Sequence, residues 1–267
     1  MFNQIPETVY GVRKRIQFIY KEIEHHISNV ANKREIKVLD IGCGTGELIT
    51  IPLGLLGIDI LGVDIHLPSI EYARKKNPYP NVSFECIPPH ELPDDRKFDF
   101  IVCSEVLEHL AEPQKMLELI RGKLKPGGIA FITVPNGYGP FELESCVARA
   151  IGVSGNGPVV RFAKRLLLRR GEKQSSTQGL DTLNIDSPHI QHFTLGQLKS
   201  LLDRSELVIL NKVHRTFLAG PITGVFMGKS RRAIIWNAKI ADRLPYFLVS
   251  GWMFTVKHRQ LIAASVP

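Results

Sequence analysis

A chain of 267 residues with 44% apolar and 22% charged side chains lies in the ordinary globular range and can bury one main core with additions. Its four cysteines, Cys43, Cys86, Cys103 and Cys146, are too far apart for a zinc knuckle or a compact disulfide framework, which fits a reducing compartment such as the cytoplasm. The net charge of +8 is uneven: residues 36–135 carry 10 Lys and Arg against 14 Asp and Glu, a balance of −4 that leaves +12 for the rest.

Basic flanks on a mildly acidic centre point to an anionic partner, such as a phosphorylated substrate, a membrane surface or RNA. The first six residues, Met1-Phe2-Asn3-Gln4-Ile5-Pro6, lack the basic, apolar, small-residue order of a secretion signal. The charge-free apolar stretch at 244–256 has 13 residues, short of the roughly 20 that cross a bilayer. The expected location is therefore cytoplasmic, with peripheral contact to the inner membrane surface as a further option.

Residues 11–30 place Val12, Ile16, Ile19, Ile23 and Ile27 at helical spacing. A first strand at 36–41 ends in Gly42-Cys43-Gly44-Thr45-Gly46, and a helix is expected from Glu47 onward. A second strand at 58–63 ends on Asp64, and a helix at 69–76 stops at Asn77-Pro78. Strands are expected at 82–87 and 98–103, helices at 105–110 and 113–124, and a fifth strand at 129–134 after Lys125-Pro126-Gly127-Gly128. Alternation at this spacing specifies a mostly parallel sheet covered on both faces.

The rhythm breaks after Pro135 for about fifty residues, a length that reads as a functional insertion. Within it, 158–173 carries Arg161, Lys164, Arg165, Arg169, Arg170 and Lys173 among Phe162, Leu166, Leu167 and Leu168, the pattern of a basic amphipathic helix that could lie on an anionic membrane. Residues 175–179 read as a loop, 194–205 as a helix and 206–213 as a strand. A second insertion at 220–245 precedes a last strand near 248–257. The expected division is an N-terminal helical extension at 1–35, a core at 36–139, a basic helical cap at 140–187, and the rest of the core at 188–267.

Glycines at the end of a buried strand permit positive backbone torsions and let a ligand approach the main chain. Here the spacing is G-x-G-x-G, not the G-x-G-x-x-G of a pyrophosphate site, and an acid, Asp40, precedes it. That acid would repel a pyrophosphate but suits a ligand bearing an amino group and a sulfonium. Asp64, twenty residues after Gly44, stands where a carboxylate accepts both ribose hydroxyls. The run Val38-Leu39-Asp40-Ile41-Gly42-Cys43-Gly44-Thr45-Gly46 resembles the first motif of class I S-adenosylmethionine-dependent methyltransferases, and Gly62-Val63-Asp64-Ile65 resembles their ribose-binding strand end. Phe98-Asp99-Phe100-Ile101-Val102 and Leu124-Lys125-Pro126-Gly127-Gly128 are similar to two further landmarks.

The resemblance implies a seven-stranded Rossmann-like α/β fold. It also implies S-adenosyl-L-methionine held by Asp40, Gly42, Cys43, Gly44, Gly46, Asp64, Ile65 and Ser104. Ile87-Pro88-Pro89 replaces the acid that often receives the adenine amino group, so that subsite stays open.

After the fourth strand, Glu105, Glu108 and His109 are spaced i, i+3 and i+4, which on a helix is one face. Two carboxylates and an imidazole can take Mg, Mn or Zn, with His189 or His192 completing the set. This resembles ubiquinone-pathway O-methyltransferases and small-RNA 2′-O-methyltransferases, with His189, four residues before Phe193, as the matching later histidine. The expected metal set is then Glu105, Glu108, His109 and His189, and the expected catalytic set Glu105, His109 and His189. The metal-free alternative has Glu105 lining the pocket and His109 packing. The favoured function is O-methylation of a small-molecule, glycan or lipid-linked acceptor. RNA ribose methylation and non-catalytic cofactor binding are the rivals; no recognised RNA-binding module is present.

Overall fold

The computed structural model describes residues 7–150, 189–220, 223–224, 227 and 230–259. Its strands are β1 (Lys37–Ile41), β2 (Asp59–Val63), β3 (Val82–Glu85), β4 (Phe98–Ser104), β5 (Leu124–Pro135), β6 (Leu207–His214) and β7 (Gly251–His258). They form one sheet in the order β3-β2-β1-β4-β5-β7-β6. All neighbours pair in parallel from β3 to β5, while β7 runs antiparallel to both β5 and β6. This is the seven-stranded, mostly parallel α/β architecture expected.

Continuous apolar runs make such strands because both faces are covered, and alternate residues then serve opposite cores. Val38, Ile60, Phe100, Val102 and Phe131 point into one apolar cluster, which also takes Ile16, Ile19 and Ile23 of α1 (Val12–His26) and Ile70 and Ala73 of α3 (Leu67–Lys76). Their neighbours Leu39, Leu61, Ile101, Cys103 and Ile132 point into the other, with Leu117 and Ile120 of α4 (Pro113–Lys123) and Leu198 and Leu202 of α6 (Leu195–Arg204). The N-terminal helix is thus a layer of the core and no loose appendage.

Four local expectations are corrected. The helix after the glycine loop is only α2 (Thr50–Leu53), extended as a 3-10 turn over Gly54–Leu56, because Gly57 takes a left-handed φ of 71° and ends it. The expected helix at 105–110 is absent: Glu105 has φ of 57°, and only Leu107–His109 forms a 3-10 turn, so the one-face spacing of Glu105, Glu108 and His109 does not exist. The fifth strand begins at Leu124, before the Lys125-Pro126-Gly127-Gly128 segment rather than after it. The last strand starts at Gly251, since Tyr246–Leu248 folds as a 3-10 turn behind Pro245.

Of the expected cap, α5 (Pro140–Ala150) is described. The basic stretch 158–173 and the loop 175–179 lie outside the described residues. The second insertion holds α7 (Arg231–Ile240). Pro135 pairs with Gly251 and His214 with Trp252, so the ends of β5 and β6 and the start of β7 share the sheet edge on which β1, β2 and β4 also end. That edge is where open α/β sheets bind ligands. No helix among the described residues is long and apolar enough to cross a membrane.

Candidate active site

At the end of β1, Gly42, Gly44 and Gly46 all have positive φ, of 68°, 54° and 70°. A Cβ on Gly42 would meet Val106 Cγ2 at 2.6 Å and one on Gly46 would meet Phe84 Cζ at 2.6 Å, whereas a Cβ on Gly44 meets nothing within 4 Å. Gly44 therefore borders open space, the cradle a bound cofactor needs. Gly44→Ala is expected to cost about 1 kcal/mol of stability from its left-handed backbone, yet to weaken cofactor binding far more. A melting curve and a titration with S-adenosylhomocysteine on the same variant check this.

The Asp64 carboxylate beyond β2 accepts the Gly44 amide at 2.8 Å on Oδ2 and the His66 amide at 2.9 Å on Oδ1. Each oxygen keeps a lone pair for a further donor. Ile65 beside it is 72% exposed, available to an apolar ligand face. Cys43 is a packing group: burial, with Asp40 and Asp64 nearby, pushes its thiol far up, so it stays protonated. The Ser104 hydroxyl donates to Thr133 Oγ1 at 2.9 Å, the Thr133 hydrogen being given to Glu105.

Asp40 is buried beneath the loop and accepts the Thr50 hydroxyl at 2.6 Å. Burial, reinforced by the charge of Asp64, pushes its pKa up to about 7 against the opposing pull of Thr50 and Arg15. The folded chain then holds a proton that the unfolded chain releases between about pH 4 and 7, so Asp40 lowers stability as pH rises through that window. A cationic ligand favours the ionised form. S-adenosylmethionine affinity is therefore expected to rise about tenfold from pH 6 to 8, and calorimetry on Asp40→Asn should show a flat profile.

Glu105 stands at the end of β4, and its amide donates to the Thr133 carbonyl at 2.9 Å. Its Oε1 accepts the Thr133 hydroxyl at 2.8 Å and lies 3.6 Å from Arg15 Nη1, while Oε2 is bound by Arg215 Nη1. Burial alone would raise this carboxyl, but Arg215 and Arg15 outweigh it and hold it below the usual range. Arg215 Nε also donates to the Tyr10 carbonyl at 2.7 Å. Glu105 thus ties the N-terminal segment and the exit of β6 to the end of β4.

Glu108, His109 and His189 form a separate group, each offering a ligand atom within 4.8 Å of the others. Glu105 is not in this group, which corrects its expected place as a ligand; the positive φ turns the chain between it and Glu108. Exposed His192 is outside it too. The Glu108 side chain is 1% exposed, and among the described residues neither carboxylate oxygen has a hydrogen-bond partner, the His109 Nε2 atom lying 3.9 Å from Oε1. Burial and the charge of Glu105 push its pKa up to about 8. The His109 and His189 rings are 5.0 Å apart, and burial with His109 lowers the His189 pKa, keeping that ring neutral at pH 7. Glu142 of α5 lies 3.9 Å from His189 Nδ1. One carboxylate and two imidazoles fit Mn, Fe or Zn, and a buried carboxylate that is not hydrogen-bonded among the described residues is suited to hold a cation.

The residues absent from the expected set are Arg15, Thr133, Glu142 and Arg215. Arg15 had a signal, since it lies three residues after Val12 and four before Ile19 on the helix face that is buried. Thr133, Glu142 and Arg215 had none.

A family model described as a methyltransferase domain matches residues 13–212. The chain is 32% identical over 126 residues to a ubiquinone biosynthesis O-methyltransferase of Rickettsia prowazekii (strain Madrid E), covering 46% of this chain and 48% of that protein. It therefore spans about half the length of the curated relatives it matches. Among solved structures it resembles the magnesium protoporphyrin IX methyltransferase of Synechocystis PCC 6803 with bound SAH (TM-score 0.53, 16% identity, 93% of this chain and 85% of that one). It also resembles PKMT2 of Rickettsia typhi in complex with AdoHcy (TM-score 0.54, 19% identity, 88% and 50%). At these identities the structural likeness speaks to fold, and the family match, fold and glycine-loop edge agree. The chain belongs to the methyltransferase-domain family, as a class I S-adenosylmethionine-dependent methyltransferase.

Proposed function

We propose that this chain O-methylates a hydroxyl on a small-molecule, glycan or lipid-linked acceptor, with Glu108, His109 and His189 holding a divalent ion beside the cofactor. The observation that carries the proposal is the Glu108 carboxylate, buried beside two imidazoles at the cofactor edge with neither oxygen hydrogen-bonded among the described residues. The name of the curated relatives supports oxygen as the methylated atom.

Methyl transfer from a sulfonium needs an aligned nucleophile and little else from the protein when the acceptor is already ionised. A hydroxyl keeps its proton at neutral pH, so this acceptor class needs help in losing it. When bound, a divalent ion supplies Lewis-acid stabilisation of the alkoxide or phenolate. Asp64 would receive the ribose hydroxyls of a bound cofactor, and Asp40 would complement its cationic end. Arg15 and Arg215 together exceed the charge of Glu105, a surplus suited to the carboxylate end of the methionine moiety. Glu105 keeps those guanidiniums in place and is a positioning residue here.

A metal-free variant of the mechanism rests on the half-buried His189 ring beside His109, which burial keeps neutral and which would accept the hydroxyl proton at a ring nitrogen. The two separate cleanly. Cell extract is incubated with protein and cofactor after thorough chelation, with and without added Mg, Mn or Zn, and searched by mass spectrometry for species that gain one methyl group. Gain of a methyl on oxygen only with added metal is expected; equal gain after chelation removes the metal, and methylation on nitrogen or carbon removes the acceptor class.

A further inference from the structure

The stretch from Arg231 to Leu248 combines exposed large apolar side chains with exposed cations. Helix α7 turns Ile234, Asn237 and Ala238 inward, and Asn237 locks it by accepting the Leu218 amide at 2.8 Å and donating to the Leu218 carbonyl at 2.7 Å. The opposite face carries exposed Arg232, Trp236 and Lys239 at i, i+4 and i+7. Beyond it, the Trp252 indole donates to the Tyr246 carbonyl at 3.0 Å and Asn136 Nδ2 donates to the Phe247 and Val249 carbonyls at 3.3 and 2.9 Å. With its backbone anchored, this turn points Tyr246, Phe247 and Leu248 outward, 49%, 57% and 39% exposed, while Trp236 is 52% exposed.

The same stretch carries four exposed cations, Arg231, Arg232, Lys239 and Arg243, and Lys212 Nζ lies 6.0 Å from the centre of the Tyr246 ring. The one acid in the stretch, Asp242, is bound by Lys14 Nζ at 2.8 Å. Large apolar side chains held outward by a tethered backbone mark an interaction surface. Trp and Tyr beside Arg and Lys suit a membrane interface, where rings sit at headgroup depth and cations meet anionic lipid. Leu248 has no π face on which a base could stack, so the tip fits acyl chains better than nucleic acid.

We infer that Trp236, Tyr246, Phe247 and Leu248, with their flanking cations, dock the protein peripherally on an anionic lipid bilayer. These residues are other than the basic stretch 158–173, which lies outside the described residues. Leu248 lies three residues before Gly251, which pairs with Pro135 at the cofactor edge, so docking brings that edge to the bilayer. The docking itself does not depend on the acceptor proposed above.

The chain has two tryptophans, and Trp252 is 1% exposed, so Trp236 is a reporter at the proposed contact. The full chain is mixed at low salt with vesicles of phosphatidylcholine alone or with phosphatidylglycerol, each also prepared with brominated lipid. With phosphatidylglycerol, tryptophan emission should shift to the blue and be quenched by bromine, and Trp236→Phe should abolish both changes. Arg232→Glu with Arg243→Glu, and separately Phe247→Ser with Leu248→Ser, should each weaken partition about tenfold or more with unchanged melting curves. The inference is overturned by absence of binding, by binding with unquenched Trp236, by undiminished binding of both double variants, or by a ribo-oligonucleotide shifting Trp236 emission where vesicles do not.

Discussion

Glu108→Met is expected to stabilise the apoprotein while removing its affinity for a divalent ion. An acid taken out of water with neither oxygen hydrogen-bonded is a net cost, and replacement of buried ionic groups by apolar ones of similar volume often gains about 1–4 kcal/mol. Because the Glu108 pKa is raised to about 8, the folded chain keeps a proton that the unfolded chain releases above pH 4.5. Wild-type stability from this group therefore falls as pH rises between those values, and the variant should lack that part of the slope. The gain should be largest near pH 8 and smallest near pH 5.

Manganese or zinc binding should move the other way. Outer partners of metal ligands typically matter by about 10–100-fold, so loss of a ligand should cost about a hundredfold or more. Binding to the wild type at pH 7 should also release close to one proton from Glu108, readable by calorimetry in buffers of different ionisation enthalpy. A variant that loses stability, or binds metal as tightly as wild type, would show that Glu108 has a packing role alone.

Asp64→Ala should weaken S-adenosylhomocysteine binding at least a hundredfold. A hydrogen bond to a charged group contributes about 1.5–3 kcal/mol, and two ribose hydroxyls on one carboxylate together account for a loss of that size. The same carboxylate also receives the Gly44 and His66 amides, so the variant should lose both the ligand contact and the fixed shape of the loop. Asp64→Asn has one acceptor oxygen for two amides and two hydroxyls, and should fall between wild type and alanine. Calorimetric titration of the three proteins checks the order. Equal affinities would place the ribose elsewhere.

The cofactor edge was readable from the chain because its parts are local: a buried strand, glycines with positive φ and an acid at the end of the next strand all lie within Lys37 to Asp64. The alternation of strands and helices likewise exposed the two-faced sheet, since Val38 and Leu39, or Ile60 and Leu61, serve opposite cores. Glu105 was misread for the converse reason. Its partners Arg15 and Arg215 are 90 and 110 residues away, and its left-handed backbone, at φ of 57°, follows from no residue preference of glutamate. Without that turn, the spacing of Glu105, Glu108 and His109 looks like one face of a helix. With it, one carboxylate goes to the arginines and the other to the imidazoles. The antiparallel insertion of β7 between β5 and β6 also depends on contacts across the whole sheet.

In the mechanism proposed, the glycine loop and Asp64 hold S-adenosylmethionine or its product through the ribose. A structure of the protein soaked with S-adenosylhomocysteine tests it most directly. Both ribose hydroxyls should lie within hydrogen-bond distance of the Asp64 carboxylate, with the ligand passing over Gly44. Ribose bound away from Asp64, or an empty edge at saturating ligand, would contradict it.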